Sequence, residues 1–230
     1  MAKSSQDGNR LYRYTDLTSA LHILKTKKLT LLNPEFWTDK NDSYFLDAYK
    51  RGSNLTCLAA LCFTEADETY HHWHVFAPGP SGIRIQFDRK IIVKAFNRKS
   101  VIPEGHGNQS GILHRKVEYR AINDLEAVIP PISDLPFLKR LPYSGEAEYR
   151  VIFQSTTMEQ ETFDIPIPLT AIRRITLSPW IPLPLVKSVK ASIRAIDKCD
   201  RLKVFRSTLL ENEQWKSCAD AAFAAPHNQG

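Results

Sequence analysis

The chain offers no run of eighteen apolar residues, so no helix of membrane-spanning length is expected. Its opening residues, MAKSSQDGNR, hold no apolar stretch of the kind an export signal needs. The four cysteines, Cys57, Cys62, Cys199 and Cys218, include no Cys-x-x-Cys pair. Free, buried thiols in a reducing, cytoplasmic setting are therefore the expectation, rather than disulfides or zinc. The glycines form neither Gly-x-x-x-x-Gly-Lys nor Gly-x-Gly-x-x-Gly, and no Gly-x-Ser-x-Gly occurs. P-loop, dinucleotide-fingerprint and nucleophile-elbow chemistry are thereby excluded. His71, His72 and His74 lack the i, i+4 spacing and intervening Glu of a zinc-protease helix, and no metal is expected.

What is present suits a globular protein. The 230 residues are 43% apolar, enough for one sizeable core or two small ones. A net charge of +6 tolerates an anionic partner without proving one. Residues 11–14 read as a short strand. Thr15 or Asp16 then offers an N-cap to a helix whose Leu17, Ala20, Leu21 and Leu24 recur at i, i+3, i+4 and i+7. Residues 29–32 form a second strand. The nearly unbroken apolar run 55–63 suits a central strand buried on both faces. Residues 66–77 predict a helix, 83–87 a strand, 98–111 a long surface loop and 117–121 another strand. Residues 146–153 are the best strand of the second half. Further strands are expected at 165–169, 172–177 and 202–205, with a helix over 186–199. Strands outnumber helices without alternating with them, which predicts an α+β fold with a mixed or antiparallel sheet flanked by helices. The expected organisation is a polar, mobile segment over 1–10, one domain over 11–215, and a fraying tail over 216–230 that Trp215 anchors.

Several clusters carry candidate chemistry. Asp39, Asn41 and Asp42 could hold a hard cation or cap the next helix, and capping needs only one of them. Trp73 could stack on a base or be a buried structural tryptophan. Lys187, Lys190, Arg194, Lys198 and Arg201 recur every three or four residues, beside an apolar face of Val186, Val189, Ile193 and Ile196. On one helix over 187–201 those cations form a stripe, either a nucleic-acid-binding surface or a solvated outer face.

Some of these blocks, in order, resemble the bacterial family catalogued as domain of unknown function 2971. They are residues 11–14 (Leu-Tyr-Arg-Tyr), Asn41-Asp42, 62–65 (Cys-Phe-Thr-Glu), Trp73, Gly82-Ile83, Phe87-Asp88, and Glu146-x-Glu148-Tyr149-Arg150. A more distant resemblance is to ADP-ribosyltransferases of the arginine-serine-glutamate type. Those show an aromatic-Arg pair on the first strand, a Ser or Thr block ending a middle strand, and a Glu-x-Glu near a late strand. Here the counterparts are Tyr12-Arg13, Phe63-Thr64 and Glu146-Ala147-Glu148, with Glu65 after the single Thr and Tyr14 after Arg13. This resemblance implies an ADP-ribosyltransferase-like sheet, open to being split. It also implies an enzyme that cleaves NAD as a substrate and passes ADP-ribose to a nucleic-acid or protein acceptor.

On a strand, Glu146, Glu148 and Arg150 would share one face, with the two carboxylates about 7 Å apart. Such a pair can divide labour: Glu148 stabilises an oxocarbenium-like centre, and Glu146 orients or deprotonates the incoming nucleophile. Arg13 would clamp the pyrophosphate bidentately, Thr64 would support the glutamate or contact the nicotinamide-side ribose, and Tyr12, Tyr14 and Trp73 would complete the NAD contacts. The competing reading of the same face is a solvated strand surface with cross-strand ion pairs. A different class of function is a nucleic-acid-binding or nuclease-like module without NAD chemistry, using the basic helix 187–201.

Overall fold

The computed structural model describes residues 7–107 and 109–224. Local chemistry sets the first elements. The Asp16 carboxylate accepts from Ser19 N and separates β1 (Arg10–Asp16) from α1 (Leu17–Thr26). β2 (Lys28–Leu32) follows directly. Asp39 caps α2 (Lys40–Gly52) by accepting from the backbone N–H groups of Asn41 and Asp42. Then come β3 (Cys57–Thr64), α3 (Tyr70–Phe76) capped by Thr69, and β4 (Gly82–Asp88), whose last residue caps α4 (Arg89–Phe96). The second half runs β5 (Ser110–Lys116), β6 (Glu118–Arg120), α5 (Ile122–Ala127), β7 (Leu138–Arg140), β8 (Glu148–Ser155), β9 (Thr162–Pro166), β10 (Ile172–Leu177), α6 (Leu183–Arg194), β11 (Val204–Arg206) and α7 (Glu213–Ala224).

Among the described residues, nine strands make one mixed sheet, antiparallel except where β10 and β11 run parallel; β6 and β7 form a separate parallel pair. β3 is the branch point. One edge pairs with β8 from Cys57↔Ser155 to Thr64↔Glu148. The other edge is shared, meeting β1 at Tyr12↔Thr64 and β2 at Leu32↔Ala60. The sheet therefore forks, with β1, β4, β10 and β11 on one arm and the remaining strands on the other. The α+β class and the central place of the apolar run stand. Seven of the eight β3 residues are buried, as a strand covered on both faces requires. The main core packs α1, α4 and α6 against one side of this sheet through Leu24, Ile92 and Ile193, all inaccessible to solvent.

Other expectations need correcting. The loop expected over 98–111 ends two residues early: Ser110 and Gly111 already belong to β5, which runs on to Lys116, a stretch given no element from the sequence, and pairs with the edge of β8. α4 has no counterpart among the expected elements. Trp215 does not anchor the tail: it is 81% exposed, and α7 runs across the expected boundary at residue 215. The mobility expected at the N-terminus falls mostly on residues 1–6, and the fraying at the C-terminus mostly on residues 225–230; both lie outside the described residues. All four cysteines are free, but Cys218 is exposed rather than buried. Among the described residues, no helix is long and apolar enough to cross a membrane.

Candidate active site

Three separated stretches of sequence meet at the fork. Tyr12 on β1 lies opposite Thr64 on β3, and Thr64 lies opposite Glu148 on β8. Beyond Tyr12 the two strands part, and Arg13 spans the gap, its Nη1 donating to the Cys62 carbonyl at 3.1 Å. A cleft of about 580 Å³ opens there, lined by Tyr12, Arg13 and Tyr14, by Cys62 to Thr64, and by Asp42, Lys139, Glu146 and Glu148 among others. That size falls within the usual range for small-molecule sites.

The two glutamates do not share a strand face. β8 begins at Glu148, Glu146 ends a 3-10 turn, and Ala147 between them takes φ 44°, a left-handed conformation. The face is not solvated either. Arg150 is fully buried and donates to both Glu148 oxygens, Nε at 2.6 Å and Nη2 at 3.0 Å, while a second fork of donors grips Asp42 at 2.8 and 2.7 Å. Lys139 completes the cluster, with Nζ 2.6 Å from Glu146 and 3.4 Å from Glu148. Three carboxylates thus share two cations away from water.

This arrangement separates the two acids. Burial alone would push Glu148 up, but Arg150 and then Lys139 more than offset it, holding the carboxyl at about 2. Glu146 has only the weaker help of Lys139, so burial wins and its pKa is raised. Burial opposes the Lys139 charge too, but Glu148 and Asp42 outweigh it and keep the ammonium firmly protonated. Burial lowers the pKa of Arg13, which forms no ion pair among the described residues and whose Nε is buried without a partner.

The hydroxyl of Thr64 donates to the Glu146 carbonyl at 2.6 Å and accepts from Ala66 N at 2.9 Å, fixing the turn that carries the glutamate. His72 Nε2 stands 3.3 Å from both Thr64 Oγ1 and that same carbonyl. The imidazole ring stacks on Tyr14 with centroids 5.4 Å apart, and burial lowers its pKa.

Trp73 requires a correction. It is 0% exposed, packs edge-on against Tyr14 at 5.1 Å and donates Nε1 to Glu68 at 2.7 Å. It supports the cleft wall from behind and does not line the cleft. The basic stripe also fails as a stripe. α6 ends at Arg194, so Lys187, Lys190 and Arg194 share a helix while Lys198 and Arg201 do not. Lys198 instead sits in the following turn at φ 63°. Asp42 is visible in the sequence as a polar loop residue, but its grip on Arg150 is not. Sequence reasoning misses the site roles of Lys139 and His72; Lys139 sits in a three-residue strand too short to show a period.

No family model matches the chain, and no curated protein matches it. Among solved structures it is similar to Thermus sp. 2.9 DarT in complex with NAD+, at 10% identity over 89% of this chain and 98% of that chain, with a TM-score of 0.41. It is also similar to Thermus sp. 2.9 DarT in complex with ADP-ribosylated ssDNA, at 10% identity over 90% and 98% of the two chains and a TM-score of 0.43. Likeness at that distance carries no weight for the chemistry, which rests on the side chains of the cleft.

Proposed function

We propose that the cleft binds NAD as a substrate, cleaves its nicotinamide–ribose bond and passes ADP-ribose to a nucleic-acid or protein acceptor. The observation that carries this reading is convergence: Arg13, Thr64, Glu146 and Glu148, drawn from three distant stretches, line one cleft. The sequence blocks that resemble arginine-serine-glutamate ADP-ribosyltransferases are these same residues, and the resemblance to domain family 2971 spans them.

The charges suit the substrate. Arg13 has an unspent buried donor and no carboxylate of its own, a good partner for a pyrophosphate. The carboxylates that line the same cleft favour the cationic nicotinamide and the positive charge that grows on the ribose carbon. As the C–N bond breaks, its electron pair leaves with nicotinamide. Glu148, ionised at neutral pH, stabilises the oxocarbenium-like carbon. The acceptor's heteroatom then bonds to that carbon and gives its proton to Glu146, whose raised pKa makes it the better base of the two. Thr64 and His72 hold the Glu146 turn in place.

The test is nicotinamide release from NAD, measured for the parent protein and for Glu148→Gln and Glu146→Gln, with circular dichroism confirming the fold. Glu148→Gln should lower release on the order of 100-fold, as loss of a preorganised electrostatic group does. Glu146→Gln should impair transfer more than hydrolysis, since water replaces a poorly deprotonated acceptor. Equal release by parent and Glu148→Gln, or no NAD binding by the parent, overturns the reading.

A further inference from the structure

A larger cleft of about 860 Å³ lies elsewhere on the molecule and shares no lining residue with the first. The start of β10, the end of α1 and the turn from Lys198 to Lys203 surround it. Its walls are cationic. Seven of its lining side chains are Lys or Arg, against one carboxylate, Asp88, which is already paired with Arg173 at 2.7 Å. Two further acids lie nearby: Asp197 is paired with Lys27 at 3.2 Å, and Asp200 stands 3.7 Å from Arg201. Even with both included and Arg10 left aside, cations exceed acids by three among the described residues (six minus three).

Three of those cations, Arg174, Lys198 and Lys203, form no ion pair among the described residues. Arg174 rests over the Phe205 ring at 5.1 Å, which orients it without neutralising it. Lys27 and Lys198 are both held at positive φ, 58° and 63°, immediately after or near a helix end. The two lysines therefore come to the cleft through backbone conformations that L-residues adopt at some cost. Like charges so grouped repel one another and favour a multivalent anion between them. The floor is aliphatic, from Leu24, Ile172 and Leu202, and its aromatic residue, Phe87, is fully buried, so no ring is offered for a base to stack on.

We propose that this cleft is a binding site for a polyphosphate group, carried by a nucleoside triphosphate or by inorganic polyphosphate. The basic residues of the last third of the chain then serve a concave site rather than a helical stripe. This inference does not rest on NAD chemistry in the other cleft.

Isothermal titration at low salt, with inorganic triphosphate, ATP and a single-stranded thymidine oligomer as separate probes, tests it. Triphosphate and ATP should both bind, more weakly as salt rises. Similar affinities assign recognition to the phosphates alone, and a clear preference for ATP assigns the nucleotide as the source. Lys198→Ala with Lys203→Ala should weaken binding about tenfold or more, a loss of about 1.4 kcal/mol. Lys187→Ala, on α6 and outside the cleft lining, and Glu148→Gln, in the other cleft, should leave it unchanged. Absence of binding, equal binding by the Lys198/Lys203 variant, or tighter binding of the oligomer than of either polyphosphate overturns the proposal.

Discussion

Arg150 and Glu148 are two residues apart on one strand, and the guanidinium of the first closes on both oxygens of the second, at 2.6 and 3.0 Å. The same guanidinium also donates to the Pro136 carbonyl at 3.0 Å, so it ties β8 to the segment leading into β7. Glu148 is thereby fixed in place and in charge by a partner that solvent does not reach.

Removing that partner should be severe. Arg150→Met leaves Asp42 and Glu148 buried side by side with Lys139 alone between them. Breaking a buried ion pair from one side costs about 3–5 kcal/mol. For a domain of this size the melting temperature should fall by about 10 °C. Urea unfolding measures the loss directly, and a change below about 1 kcal/mol would show that the pair is not a structural lock.

The two glutamates should titrate against each other in stability. Glu148 moves from an ordinary 4.5 to about 2 on folding. A lowered folded pKa stabilises above the ordinary value, and that contribution is lost as pH falls through the folded one. It amounts to about 3 kcal/mol. Glu146 has the opposite sign: its raised pKa favours the fold below the ordinary value, and that help is lost as pH rises through the folded one. Unfolding free energies between about pH 2 and 7 should therefore show an acid-side rise that flattens in Glu148→Gln and persists in Glu146→Gln. An unchanged slope in Glu148→Gln would contradict the pairing.

α7 should be dispensable for stability. Every side chain from Glu213 to Ala222 is exposed, and Trp215 stands in solvent. Ending the chain after Asn212 should move the melting temperature by less than about 2 °C, because that stretch takes no apolar surface out of a core. A larger drop, read by calorimetry, would mean that the helix docks.

Where a sequence signal is local, it is legible. The apolar run through β3 announces a strand covered on both faces, and Asp16 and Asp39 cap the helices that follow them. Tyr12-Arg13, Phe63-Thr64 and Glu148 can be picked out because each lies on a strand, and strand registers then bring them together. Glu146 is misplaced by the sequence pattern because alanine is no signal for a left-handed residue, so nothing at Ala147 warns that the strand starts only at Glu148. The cations after Arg194 keep a helical spacing although the chain leaves the helix at Ala195, since exposed charge is indifferent to the backbone beneath it. α7 reads as a tail because it lacks an apolar face to bury; alanine-rich sequence makes a helix there without that packing.

The left-handed alanine between the two acids bears on how tightly the cleft is specified. Glycine at 147 would relieve about 1–2 kcal/mol of steric conflict, and a looser unfolded chain would take back about 0.4–1 kcal/mol of it. Stability would therefore change little, while the number of ways to aim Glu146 relative to Glu148 would grow. Alanine gives up a small gain in comfort and restricts the pair to a narrow basin of orientations. The division between one locked acid and one responsive acid is thus written into the main chain as well as into the charges around it.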